Sequence, residues 1–116
     1  MKDLPEHGLI SPHGEILVDS LSPPDRLEEL RREARGLSSW TLTPRQLCDL
    51  EMIVTGAFSP LDSFMDREAT DSVCSSMRLP DGTLWPIPVN LDVTAPVAED
   101  LSAGDSLVLR DPDDLP

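Results

Sequence analysis

Apolar and polar positions along the chain change period several times, and each change predicts an element. Glu15-Ile16-Leu17-Val18, after a His13-Gly14 turn, reads as a short strand ended by the turn-like stretch Asp19 to Ser22. Leu27, Leu30, Ala34 and Leu37 then recur at helical spacing. Ser22 stands where an N-cap belongs, with Pro23 at the first helical position, Asp25 three residues after the cap, and Gly36 as the stop. Glu28 precedes Arg32 by four residues, and Glu29 and Glu33 interleave with Arg31 and Arg35, which reads as a solvated ionic face.

The second helix has the sharpest start. Thr43 as N-cap, Pro44 next and Gln46 three residues after the cap form a capping box, with Leu42 and Leu47 placed as a hydrophobic staple. Leu47, Leu50, Val54 and Ala57 are expected to share its face, and Gly56 suits a left-handed cap after a helix over about Pro44 to Thr55. The following stretch, Gly56 to Met65, has the Gly, Pro and Ser of a loop, yet it holds Phe58, Leu61, Phe64 and Met65. A loop that apolar is pinned to something, either its own core or a neighbouring domain or subunit. A third helix is predicted over about Glu68 to Met77 with Asp66 as cap, then a turn at Leu79-Pro80-Asp81-Gly82.

Trp85, Ile87, Val89, Leu91 and Val93 alternate strictly and predict a strand, with Pro86 and Pro88 on the other phase marking an edge or a bulge. A linker, a turn at Ser102 to Asp105 and a last strand at Ser106 to Leu109 follow. Helices crowd the first two thirds and strands the last third, which predicts an α+β fold.

At 116 residues the chain is the size of one domain. Apolar residues make up 39%, and Trp40, Phe58, Phe64 and Trp85 are the only aromatics, so any core is mostly aliphatic and a larger interface is expected to support it. The net charge of −13 repels phosphate backbones and anionic lipid heads, so no nucleic-acid and no membrane partner is expected. The longest aliphatic runs are three residues, too short for a bilayer span. Met1 to Ile10 lacks the apolar run of a signal peptide, and a cytoplasmic location is expected. Cys48 and Cys74 form no Cys-x-x-Cys pair and read as two buried thiols in a reducing compartment, with a disulfide between them as the alternative.

Candidate chemistry is sparse. Lys2 is the only lysine, so no P-loop exists. His7 and His13 lack the further ligands a metal needs, and no Gly-x-Ser-x-Gly elbow occurs. The acidic end, Asp111 to Pro116, lacks calcium-loop spacing and reads as a solvated tail. No catalytic, cofactor-binding or metal residue is assigned.

Several blocks together resemble one family. Ile10-Ser11-Pro12-His13-Gly14, Arg45 to Glu51, Gly56-Ala57-Phe58-Ser59-Pro60-Leu61 with Phe64-Met65, Met77-Arg78-Leu79, Leu84-Trp85-Pro86-Ile87-Pro88-Val89 and Leu109-Arg110-Asp111 run in the order seen in sulfate adenylyltransferases, the ATP sulfurylases. Ser63 departs from the usual Gly before Phe-Met, and Glu15 from a second Gly after His-Gly. The resemblance implies that residues 1–116 are an N-terminal PUA-like domain, a mixed β-barrel with packed helices, stopping before the barrel is complete. It implies a following nucleotidyltransferase domain with Gln-x-Arg-Asn-Pro and His-x-Gly-His motifs, neither of which occurs here. The complete enzyme would join ATP and sulfate, with magnesium, into adenosine 5′-phosphosulfate and pyrophosphate. This chain would be inactive alone and would brace its own catalytic domain through Phe58, Leu61, Phe64 and Met65, with a homo-oligomer open. The alternatives are a free-standing PUA-like binding module or an inactive truncated remnant.

Overall fold

The structure is a computed structural model that describes residues 10–113. His7 and the tail residues Asp114 to Pro116 lie outside that range. In chain order the elements are a 3-10 turn at Pro24–Arg26, α1 (Leu27–Ala34), β1 (Ser39–Thr41), α2 (Pro44–Val54), α3 (Arg67–Ser76), α4 (Ala95–Glu99) and β2 (Val108–Arg110). Helices with a small sheet make this an α+β structure. The residues divide into two compact units, 10–21 with 49–90 and 22–48 with 91–113, and the boundary falls inside α2.

The first unit is built on an aliphatic core of Ile53, Leu61, Met65, Val73, Leu79 and Val89, with Phe58, Phe64, Ala69 and Trp85 packed against it. Ile53 and Val73 are the most deeply buried large side chains, at 2% and 1% exposed. α3 begins where its cap demands: Asp66 is extended and its Oδ1 accepts from Ala69 N–H at 2.8 Å. It ends at Met77, which takes a left-handed conformation, donates its N–H to the Val73 carbonyl at 2.8 Å and lies 56% exposed. The turn after it closes as read, with Gly82 N–H donating to the Leu79 carbonyl at 2.9 Å.

Two strand expectations fail. Residues 15–18 form no strand. Gly14 and Glu15 both have φ near +73°, which turns the chain out of extended geometry, and Ile16 and Leu17 are 70% and 65% exposed. Residues 85–93 form no strand: the chain bends at Ile87, and Pro86 and Pro88 have no amide to donate to a ladder. The alternation survives only in part: Val89 is buried, whereas Ile87 is 58% exposed.

In the second unit β1 and β2 pair in parallel, with Ser39 opposite Val108, Trp40 opposite Leu109 and Thr41 opposite Arg110. The ladder extends at both ends through Val108 N–H to the Ser38 carbonyl and Leu42 N–H to the Arg110 carbonyl, each 2.8 Å. The sequence reading missed β1, and it placed the last strand a residue or two early. The first helix enters through the 3-10 turn instead of a Ser22 cap, because Pro23 is still extended at ψ 143° and no side chain caps the end. Its ion pairs join residues three apart, Arg26 with Glu29 and Arg31 with Glu28, not four. They are solvent-exposed and contribute little. α4 occupies what read as a linker, started by Pro96 in its first turn.

The capping box of α2 forms as read. Gln46 N–H donates to Thr43 Oγ1 at 3.2 Å, and Thr43 N–H donates to Gln46 Oε1 at 3.0 Å. Gln46 is also the buried hub of its unit, 3% exposed. Its Oε1 accepts from Trp40 Nε1 at 3.0 Å, and its Nε2 donates to the Asp92 carbonyl at 2.6 Å. At the far end of α2, Ile53 rather than Ala57 turns inward; Leu50 and Val54 are half-buried and Ala57 is exposed. Cys48 and Cys74 are free thiols on the surface, not buried ones.

Candidate docking loop

The Gly56–Met65 loop grows out of the end of α2. Gly56 takes φ +87° and donates its N–H to the Ile53 carbonyl at 3.2 Å, and Phe58 N–H reaches the Met52 carbonyl at 3.0 Å. A side chain is excluded at Gly56, because its Cβ would collide with the Val18 carbonyl and come within 2.8 Å of the Leu17 side chain. Gly14 meets the Pro60 ring equally closely, at 2.8 Å from a would-be Cβ. Segment 10–21 thus lies directly on the loop, with a glycine at each close approach.

Ser59 ties the two together. It is 3% exposed, its Oγ donates to the Gly56 carbonyl at 2.6 Å, and it accepts from Val18 N–H at 3.0 Å. The Ser59-Pro60 peptide is cis. Beyond it Leu61 and Met65 are buried, and Met65 N–H donates to the Val89 carbonyl at 2.8 Å. Phe58 and Phe64 are half-buried against the same core. Phe58 meets Trp85 edge-on, with ring centroids 5.7 Å apart at 82°. On the same indole lies His13, 5.9 Å away, whose Nε2 is 2.6 Å from the Leu84 carbonyl and donates to it. The Trp85 indole N–H is buried without an acceptor among the described residues. The four apolar loop residues named from sequence therefore belong to one cluster, with two facing fully inward and two partly open.

Beside this loop a groove of about 330 Å³ runs along residues 60–69 and 79–81. Leu61, Phe64 and Met65 contribute its apolar part, and Asp62, Asp66, Glu68 and Asp81 surround it. Asp81 accepts from Thr83 N–H at 2.9 Å, and this bond, with a second from the Thr83 hydroxyl, holds its carboxyl below the usual range. Sequence reasoning missed the groove. Its acids come from two separate segments of a chain in which acids are abundant, so no spacing singles them out. Among the described residues no three His, Cys, Asp or Glu converge on a metal position, and no helix is long and apolar enough to cross a membrane.

Comparison with known proteins gives a consistent result. Residues 10–116 match the family model described as a PUA-like domain. The chain is 43% identical over 108 residues to the sulfate adenylyltransferase of Eremothecium gossypii, covering 92% of this chain and 22% of that protein. It is 48% identical over 103 residues to that of Neosartorya fischeri, covering 86% and 18%. Among solved structures, a hexameric APS kinase from Thiobacillus denitrificans superposes with a TM-score of 0.82 at 40% identity, over 91% of this chain and 21% of that one. The chain spans about a fifth of the length of these relatives. With its residues matched from Ile10 onward, the chain belongs to the PUA-like domain family.

Proposed function

We propose that this chain is the N-terminal domain of a sulfate adenylyltransferase and acts by bracing the enzyme's catalytic domain. The observation that carries this reading is the identity of 43% to 48% across nearly all of the chain but only a fifth of each relative. In the complete enzyme ATP and sulfate become adenosine 5′-phosphosulfate and pyrophosphate in the cytoplasm. The nucleotide, sulfate and magnesium would be held by the nucleotidyltransferase domain, and residues beyond this stretch would complete a mixed barrel around the β1–β2 pair. Phe58, Leu61, Phe64 and Met65 would stiffen the loop that meets that domain. The two inward residues fix its shape, and the two half-open rings offer contact. The hexameric solved relative supports a homo-oligomer.

The test replaces the matched stretch of the Eremothecium gossypii enzyme with this chain. The chimera is expected to release pyrophosphate from ATP and sulfate, and the isolated chain to release none. Turnover by the isolated chain, or a folded chimera without activity, refutes the bracing role. The free-standing module for RNA is opposed by the net charge of −13.

A further inference from the structure

We infer that the groove along residues 60–69 and 79–81 receives a basic, apolar-tipped surface of the catalytic domain. This rests on the bracing role above and names the chemistry of the contact. The groove, about 330 Å³, has room for one or two side chains over Leu61, Phe64 and Met65, the apolar atoms that a docked domain would cover. Covering them also covers four carboxylates, Asp62, Asp66, Glu68 and Asp81, while exposed Arg67, between two of them in sequence, is not among the residues lining the groove. Asp66 and Asp81 are fixed in place by the Ala69 and Thr83 amides. Asp62 and Glu68 are exposed and make no ion pair among the described residues. A neutral surface would strip water from these charges and return nothing, whereas guanidinium or ammonium groups compensate them.

Sign also selects the occupant. A second copy brings the same charge of −13, and phosphate backbones and anionic lipid carry the same sign. Most of each sulfate adenylyltransferase lies outside the matched stretch, since this chain covers only 18% to 22% of it, and that remainder is the surface the groove is built to meet.

The test uses a fluorescent peptide of alternating arginine and leucine, read by anisotropy. The isolated chain is expected to bind it saturably. The double variant Asp62→Asn/Glu68→Gln is expected to weaken binding about tenfold or more, and Glu33→Gln/Glu99→Gln, the same charge change outside the groove, less than about twofold. The chimera is expected not to bind the peptide, because its catalytic domain already fills the groove. An arginine–serine peptide that binds the chain as well as the leucine one, or equal loss in both double variants, overturns the inference as diffuse attraction. An active chimera that binds the peptide as tightly as the isolated chain overturns it too, and leaves bracing standing. An inactive, folded chimera removes the bracing role, and the inference with it.

Discussion

Replacing Gln46 with Met tests the account of the second unit most directly. The side chain keeps nearly the same length and loses every polar atom. Three partners are orphaned: Trp40 Nε1, Thr43 N–H and the Asp92 carbonyl, now 3.0, 3.0 and 2.6 Å from Gln46. Each lost bond costs about 1 kcal/mol net, and more where the partner stays dry. Thr43 and Asp92 are exposed and Trp40 half-buried, so water rescues part of the loss. The expected destabilisation is about 2–4 kcal/mol, a large share of the roughly 5–15 kcal/mol that holds a domain together. With a urea slope of about 1–3 kcal/mol/M, the midpoint falls by roughly 1 M or more. The assay is urea unfolding in a Trp85→Phe background, which leaves Trp40 as the sole indole reporter. A loss under about 0.5 kcal/mol would refute the hub, since that is the range of ordinary surface changes.

Other expectations follow from single contacts. Gly56→Ala meets both a positive φ and the Val18 carbonyl, and should cost about 2 kcal/mol or more in thermal unfolding; a shift within error would remove the close approach of segment 10–21. Asp66→Ala removes the α3 cap and should cost about 1 kcal/mol, whereas Asp66→Asn should retain most of it. Val73→Ala in the core should cost about 1–3 kcal/mol by urea titration, against under about 0.5 kcal/mol for exposed Met77→Ala. The Asp81 carboxyl has a folded-state pKa below its ordinary 3.8, so its contribution is present above that value and lost as pH falls through the lowered one. Asp81→Asn should flatten the acid limb of the stability profile, and an unchanged limb would deny the Thr83 bonds that role.

The sequence by itself determined the features whose causes lie within three or four residues. The Thr43–Gln46 capping box, the Asp66 cap, the left-handed Gly56 and the Leu79–Gly82 turn are local hydrogen-bond arrangements, and each is found where the residue pattern put it. Its motif blocks were enough to point to the sulfate adenylyltransferases. Strands were another matter, because a strand exists only when a distant partner supplies the ladder. Residues 15–18 and 85–93 have the right side chains and no partner ladder, while Ser39–Thr41 has little signal and pairs with Val108–Arg110. Burial was likewise decided by the tertiary structure. Ile53 and Ile87 are the same residue type, yet one is 2% exposed and the other 58%, because only one side of each element meets the core. The same holds for Gln46, whose cap partner is local but whose bonds to Trp40 and Asp92 require β1 and the 91–94 stretch to arrive beside α2. The acidic groove is a further case, since Asp81 joins Asp62, Asp66 and Glu68 only when the 79–81 and 60–69 segments fold onto one core.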